Sequence, residues 1–377
     1  MRRNDSFGIT RKRFLAAGLS AAAILPARTL AQPASLQRAP ARLVPVKLDA
    51  GRVIRIVVGL RPYRRTGFVL RADHLGDKLL VHNYGHGGGG FSLSWGCAAM
   101  AADLVADRSP QRAAVLGCGV IGLTTARTLQ DRGWTVTIYA AHTPPDTTSN
   151  IAGAQWTPTT VFASDAASTE FLETFRRASQ TANRAFQLMV GPAYGVRWID
   201  TYALKHVASD RDEIDYALSA GIEDLYADVE TIAPSSTPFA TPLVRRFTTM
   251  QIAPNTFLPA VERDFFVRGG RIVVRTFTDA AAIASLDEAV VFNCTGLGSR
   301  TLFGDTELEP VRGQLSILEP QSDVDYAYVA EGLYMFPRDD GIVLGGTFQH
   351  GNASLAPDLA TQRRILAEHA ALYRTRT

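Results

Sequence analysis

The sequence predicts an α/β fold in which a parallel-sheet domain is interleaved with a second, sheet-rich domain. Two observations carry this. Residues 112–140 run strand, glycine turn, helix, strand. Downstream, extended and helical stretches alternate without an internal repeat, a mixture that implies stacked layers of sheet and helix.

The unit at 112–140 opens with an apolar run, Ala113 to Leu116, bounded by glycine, as suits a strand buried on both faces. Gly117, Gly119 and Gly122 follow in a G-x-G-x-x-G array. A helix is predicted over 120–131, stopped by Gly133, and a β-branched strand over 135–139. In this setting the first glycine makes a tight turn, the second admits a pyrophosphate, and the third lets helix and strand pack closely. The helix N-terminus offers free N–H groups to phosphates. The second strand ends Tyr139-Ala-Ala-His142, without the acid that holds a ribose in NAD proteins, which argues against NAD.

The 377 residues, 46% of them hydrophobic, suffice for one or two substantial cores, and no apolar run reaches membrane-spanning length. The net charge of +3 is concentrated at the front. Residues 1–31 hold six basic groups and one acid, so they alone carry +5 and leave −2 for the rest. No basic stripe remains, which excludes nucleic acid as an expected partner. Residues 1–31 have the form of an export signal: basic residues, an apolar stretch over 14–25, and Thr29-Leu-Ala31 as a cleavage site. Arg11-Lys12-Arg13-Phe14-Leu15 resembles the twin-arginine motif, with Lys12 in place of the second arginine, so a periplasmic destination by that route or by Sec is expected. Cys97, Cys118 and Cys294 have no paired spacing and are expected to be buried, inert thiols.

Residues 32–50, rich in Ala and Pro, are expected to be a linker. Strands are predicted over 52–60, 68–70 and 79–82, and a helix over 91–106 after the glycines at 87–90. Beyond 149 the pattern gives a helix over 168–190, strands over 196–206 and 244–252, and a helix capped by Asn255 that ends at Gly269-Gly270. Strands over 271–277, 288–293 and 312–318 follow. Residues 334–337 and 342–348 flank Arg338-Asp-Asp-Gly341 as a hairpin, and a final amphipathic helix covers 360–374.

Taken together, VLGCGVIGL (115–123), SNIAGAQWTP (149–158), NCTG (293–296), RGQ (312–314), YMFP (334–337), LGG (344–346), GLRP (59–62) and HNYGHGG (82–88) resemble the D-amino-acid oxidase family of FAD enzymes. The resemblance implies a Rossmann-like FAD-binding domain interleaved with a sheet-rich substrate domain, in circularly permuted order. In the family the GLRP and HNYGHGG pieces lie near the C-terminus; here they precede the dinucleotide turn. The implied organisation is a signal peptide (1–31), a linker (32–50), a permuted C-terminal segment (51–108), a dinucleotide-binding unit (109–160) and a substrate domain with returning strands (161–377). If one permuted body forms, 52–60 and 342–348 share a sheet and Arg61 and Tyr334 face one cavity. The final helix then ends beside residues 40–50. The rival is a separate module, or swapping between subunits.

The resemblance further implies that Arg61 pairs with the substrate α-carboxylate, a task for which its planar fork is suited. It implies that Tyr334 shares that carboxylate and that the Gly88 carbonyl accepts from the substrate amine. FAD would be held by Gly117, Gly119, Val120, Ile121, Gly122, His142, Thr148, Ser149, Gly153, Ala154, Gln155, Phe277 and Thr295, and by Gly87, Gly88, Gly89, Gly90, Phe91 and Ser92. Hydride would pass from the substrate Cα to flavin N5, the imino acid would hydrolyse, and oxygen would leave as peroxide, a chemistry that needs positioning more than a strong base. A second pocket tyrosine common in the family is Ala330 here, with Tyr328 and Phe348 as possible neighbours. His82 and His86 are expected to be structural, and Arg64 and Arg65 solvated. Two alternatives stay open: a glycine/sarcosine-type or acidic-substrate oxidase, Arg338 serving a side-chain carboxylate, and a flavin-binding protein without turnover.

Overall fold

The structure, a computed structural model, describes residues 43–109, 111–207 and 209–374. The signal-like segment 1–31 and the first part of the expected linker lie outside the described residues. From Leu43 the chain is packed rather than loose: Leu43 and Val46 are buried against Tyr202, Tyr326 and Leu366.

The first strands are β1 (Val53–Tyr63), β2 (Val69–Leu75) and β3 (Lys78–Tyr84), followed by α1 (Gly90–Asp103). The glycine-turn unit forms β4 (Arg112–Leu116), α2 (Val120–Asp131) and β5 (Thr135–Ala140). Next come α3 (Thr169–Gln187), β6 (Val196–Lys205), α4 (Glu213–Ala220), β7 (Ala227–Ile232) and β8 (Leu243–Ile252). Then follow α5 (Pro254–Val267), β9 (Arg271–Val274), α6 (Ala280–Ala284), β10 (Val290–Asn293) and α7 (Gly298–Phe303). The chain closes with β11 (Glu309–Leu318), β12 (Ala327–Ala330), β13 (Leu333–Arg338), β14 (Gly341–Gly345), β15 (Gln349–His350) and α8 (Leu359–Ala371).

Two sheets result. One runs β2-β3-β10-β4-β5-β9, with every pair but β2–β3 parallel. Alternate residues of its strands serve opposite cores. Val81, Ala113, Val115, Val136, Ile138 and Phe292 face the cluster built with α1, α2, α3 and α5. Leu80, Ala114, Leu116, Tyr139 and Val291 face Ile283, Leu286 and Leu302. Helices on both faces explain why these strands are almost continuously apolar. The other sheet runs β1-β11-β14-β13-β12-β6-β8-β7, with β15 on β11. Met335 and Leu344 pack on Ile365 and Leu366 of α8, whereas Phe336 and Tyr334 face the opposite side.

β1 and β14 therefore share a sheet, each beside β11, as a single permuted body requires. Ala101, Ala102 and Val105, at and just past the end of α1, lie in one core with Ala113 and Val115 of β4. At the other end of the chain the Tyr326 hydroxyl donates to the Val44 carbonyl at 2.8 Å and lies 3.2 Å from the Tyr373 hydroxyl.

Several local expectations are corrected. Asn255 does not cap α5: it lies one residue inside, Pro254 opens the helix after Ala253, and the Asn255 amide donates to Asp340. Arg64 is not solvated, because Asp305 and Glu307 pair with it at 2.8 and 2.7 Å. Arg65 is exposed and pairs with Asp165. The strand expected over 271–277 stops at Val274. Tyr328 is buried on the α8 side, its hydroxyl on His369 Nδ1, and faces away from the cavity. Among the described residues no helix is long and apolar enough to cross a membrane.

Candidate active site

The C-terminal ends of β3, β10, β4 and β5 open into one cavity of about 500 Å³, lined by residues 83–88, 116–121, 139–142 and 294–298. That is where open α/β sheets bind ligands, at the crevice beyond the strand ends. Its walls are continued by β1 (Gly59, Leu60, Arg61, Pro62), by 146–149 and 151–153, and by Arg275, Thr276 and Phe277. Two helix N-termini, Gly90 of α1 and Val120 of α2, meet in it and add partial positive charge. The Val120 N–H donates to Ser149 Oγ at 2.9 Å, which ties the loop at 149 to the start of α2.

The glycines are placed by contact. A Cβ on Gly117 would stand 2.5 Å from the Cys294 carbonyl oxygen, and one on Gly122 2.0 Å from that of Gly117. Gly122 therefore sets helix-to-strand packing and does not line the cavity. The 87–90 loop is clamped by Thr160, whose carbonyl accepts from the Gly88 N–H at 3.1 Å. A Cβ on Gly87 would come within 2.3 Å of that carbonyl, and one on Gly88 within 2.0 Å of Thr160 Oγ1. Thr160 itself is held at φ 55°, an uncommon conformation for a β-branched residue. No pattern in the sequence singles it out.

Gly87, Gly88, Gly90, Phe91, Gly117, Gly119, Val120, Ile121, His142, Thr148, Ser149, Gly153, Phe277 and Thr295 all line this cavity. Gly89 and Ser92 stand behind it: Gly89 precedes α1 against Val161, and Ser92 Oγ donates to the Gln155 carbonyl. Ala154 and Gln155 line a second cavity of about 210 Å³. It shares Gly88, Phe91, Ala152, Gly153 and Tyr334 with the first, so the two adjoin. Asp146, in the loop past β5, lines the first cavity where the strand end itself offers no acid, and among the described residues it is the single carboxylate there.

Arg61 and Tyr334 meet across four strands. Arg61 leans from β1 over Gly313 of β11, where a Cβ would lie 2.5 Å from its Nη1. Tyr334 leans from β13 over its cross-strand partner Gly345, where a Cβ would lie 2.0 Å from its Cζ. The Arg61 guanidinium donates to the Tyr334 hydroxyl and to the Thr347 carbonyl, both at 3.2 Å, and stacks 4.5 Å over the Phe348 ring. No carboxylate among the described residues pairs with this half-buried cation, which leaves its fork available to an anion. Gly313 and Gly345 are site residues that sequence reasoning missed, although both stand in motifs it quoted.

Arg338 is engaged elsewhere: it pairs with Asp340 at 2.5 Å and donates to the Ala152 carbonyl at 2.9 Å, with its side chain 3% exposed. It is not free for a substrate carboxylate. Burial lowers His82 to about 4 and His86 to about 3, so both are neutral at physiological pH. His82 Nδ1 accepts from Asn293, and His86 stacks on Phe68. The three cysteines are buried and free, and burial pushes Cys118 and Cys294 up to about 12.

The FAD-dependent oxidoreductase family profile, DAO, matches residues 8–104 and 112–376. The chain is 31% identical over 263 residues to the D-amino-acid oxidase of Streptomyces coelicolor, covering 68% of this chain and 76% of that one. It is 31% identical over 272 residues to the D-aspartate oxidase of Homo sapiens, covering 69% and 75%. In fold it is similar to the glycine oxidase of Geobacillus kaustophilus, with TM-score 0.54 and 17% identity over 70% of this chain and 78% of that one.

Proposed function

Since this chain belongs to the DAO family of FAD-dependent oxidoreductases, we propose that it is a D-amino-acid oxidase, converting a D-amino acid and oxygen to the 2-oxo acid, ammonia and hydrogen peroxide. The observation that carries the reading is the contact between Arg61 and Tyr334 at the wall of the cavity into which the glycine turn and two helix N-termini open.

The residues present fit FAD. The cavity is apolar along most of its wall and reaches the N-terminus of α2 at Gly119 and Val120, where a pyrophosphate would lie. Arg275 stacked 4.7 Å over Phe277, with His142, would flank the adenine end, and Asp146 offers an acceptor for ribose. Bound there, FAD supplies the hydride acceptor and the route of electrons to oxygen. The chain supplies position. Arg61 holds the α-carboxylate through its paired N–H groups, and Tyr334 donates to the same group. The Gly88 carbonyl accepts no hydrogen bond from a described backbone N–H and sits where the two cavities adjoin, so it is placed to accept from the substrate amine. Holding carboxylate and amine together orients Cα, which is the main service this reaction asks of the protein. Anaerobic addition of a D-amino acid to the yellow holoenzyme tests the reading: the flavin should bleach. Bleaching by glycine or sarcosine alone, or by no amine, would overturn it.

Two further readings are part of the proposal. The chain is a circular permutant: the order of its motifs, the family match in two blocks flanking 105–111, and the approach of Tyr373 to Val44 through Tyr326 support this. A chain rejoined at 374 and 43 and opened at 109–111 should fold and bind FAD; failure to do so counts against it. The protein is exported to the periplasm, on the signal-like form of 1–31. N-terminal sequencing of the protein recovered from periplasm tests that, and retention of residues 1–31 in the cytoplasm would overturn it.

A further inference from the structure

The second cavity adjoins the substrate groups but carries a different charge. Its wall contains Asp210, Asp212, Glu213 and Glu331 against Lys205 and Arg211. Of the two cations, Lys205 is held in an ion-pair network. Lys205 Nζ lies 2.8 Å from Asp215 and 3.9 Å from Asp212, and Arg245 closes on the same two carboxylates at 2.9 and 3.0 Å. Arg211 is exposed and runs along α4, donating to Ser219 and to the Asp215 carbonyl.

Acceptors are left over. Asp212 is only 4% exposed at its side chain, and its Oδ2 has no hydrogen bond. Gln155 donates its amide to Thr201 at 2.7 Å, which leaves its buried Oε1 without a donor. Glu213, the first residue of α4, has no cationic partner among the described residues, and the charges it feels, from Asp212 and Asp215, are of its own sign. Burial, with those two neighbours and against a hydrogen bond from its own backbone N–H, pushes its carboxyl up to about 7. Two buried acceptor atoms without a hydrogen bond, Asp212 Oδ2 and Gln155 Oε1, beside a carboxylate that no cation neutralises call for a ligand rich in N–H groups. Phe91, Phe336 and Phe348 supply an apolar flank along which a methylene chain would lie.

We propose that this cavity receives the substrate side chain and selects D-amino acids whose side chain ends in a cation, such as D-arginine and D-lysine, with Glu213 as the specificity residue. This deepens the oxidase reading and rests on it. An α-carboxylate at Arg61 and an amine at the Gly88 carbonyl direct the third substituent of Cα into the cavity that Gly88 and Tyr334 share with the first. An ammonium brings three donors and a guanidinium five, and either would hold Glu213 ionised. A side-chain carboxylate would instead face Asp212, Glu213 and Glu331, with Lys205 paired to Asp215, Arg211 hydrogen-bonded along α4 and Arg338 bound to Asp340.

The test is a panel of D-arginine, D-lysine, D-methionine and D-aspartate on the holoenzyme, read by anaerobic flavin reduction and by steady-state kcat/KM. The wild type should favour D-arginine and D-lysine over D-methionine at least tenfold. Glu213→Gln should lower the D-arginine to D-methionine ratio at least tenfold, chiefly through KM. Flavin reduced by D-methionine or D-aspartate as readily as by D-arginine overturns the specificity alone. So does an unchanged ratio in Glu213→Gln. Flavin that stays oxidised with every D-amino acid overturns the oxidase reading, and this one with it.

Discussion

Replacing Gly345 by alanine should disable catalysis while leaving the cofactor bound, because the methyl group would occupy space taken by the Tyr334 ring. Its Cβ would stand 2.0 Å from Tyr334 Cζ and 2.3 and 2.5 Å from the two Cε atoms. Ordinary carbon contacts begin near ~3.5 Å, so ring and strand must separate by roughly 1.5 Å. The ring has little room to retreat. Phe336 stacks on it at 5.1 Å, and a Cβ on Gly153 would already lie 3.2 Å from Cε2. A displacement of that size removes the 3.2 Å contact to Arg61 and misplaces the hydroxyl. Misplacement by about 1 Å costs on the order of 10²-fold in rate, equivalent to about 3 kcal/mol of barrier. Overpacking should also cost about 1–3 kcal/mol of stability. Stopped-flow reduction by D-arginine, with flavin content read from the visible spectrum, separates the effects. Tyr334→Phe, which keeps the ring and loses only the hydroxyl, should be the milder variant. A Gly345→Ala enzyme with wild-type kcat/KM, or one that loses flavin before activity, would refute the argument that glycines on the inner strands set the position of the substrate-binding side chains.

Arg61→Leu should keep the flavin and lower kcat/KM about 10²–10³-fold, with KM rising most, as expected when one partner of a desolvated carboxylate pair is removed; near-normal kinetics would sink the assignment. Gly119→Val should abolish FAD binding, since its Cβ starts 3.0 Å from Ser149 Oγ at the mouth of α2, and protein purified with bound flavin would contradict this. Acid should destabilise the fold through buried histidines. His82, His86 and His369 titrate at about 4, about 3 and about 4 in the folded state. The unfolded chain takes up these protons near the ordinary value of ~6.5. Stability is therefore fully present above pH ~6.5 and falls by up to about 1.4 kcal/mol per pH unit for each histidine as pH drops toward about 4. A Tm independent of pH across that window would contradict it.

What could be read from the sequence was what local pattern determines. The bounds of α2 follow from the glycine array before it and Gly133 after it. The β13–β14 hairpin follows from Asp339-Asp340 between two β-rich runs, with Arg338 opposite Gly341. β7 escaped notice because it is a six-residue exposed edge strand whose pairing is interrupted between Ala227 and Glu230, so its short alternation serves no buried face. β12 is four residues long, too short to carry a period. α4 is also short, but it begins with a reciprocal Asp212–Asp215 capping box that the sequence does display. Arg64 was misjudged because its partners Asp305 and Glu307 are more than two hundred residues away. The second cavity was invisible for the same reason, since β6, the start of α4, β12 and the loop at 152–159 come together only in the fold. His369 shows how distant residues finish the site. The Gly345 carbonyl can only accept, so His369 Nε2 donates to it and Nδ1 accepts from Tyr328. A residue of the last helix thus fixes the strand beneath Tyr334.

With the substrate held as proposed, the two adjoining cavities would also account for recognition of one hand. The first gathers positive character: Arg61 and the N-termini of α1 and α2, with Asp146 as its single lining carboxylate among the described residues. The second gathers acceptors: Asp212 Oδ2 and Gln155 Oε1, which have no hydrogen bond, and Glu213, which has no cationic partner among the described residues. Between them lies the Gly88 carbonyl, which accepts from no backbone N–H among the described residues. A zwitterion with a cationic side chain finds three separate partners in this arrangement, one for each heavy substituent of Cα. Three fixed substituents leave the hydrogen a single direction. The mirror isomer, keeping its carboxylate on Arg61, must either exchange amine and side chain or turn its hydrogen elsewhere. Exchange would set an ammonium among spare acceptors that its short reach cannot span, and would drive a long side chain against the Gly88 loop, where Thr160 leaves no space even for a Cβ. The rigidity of that loop is therefore as much a part of chiral selection as the arginine, which by itself would hold either hand.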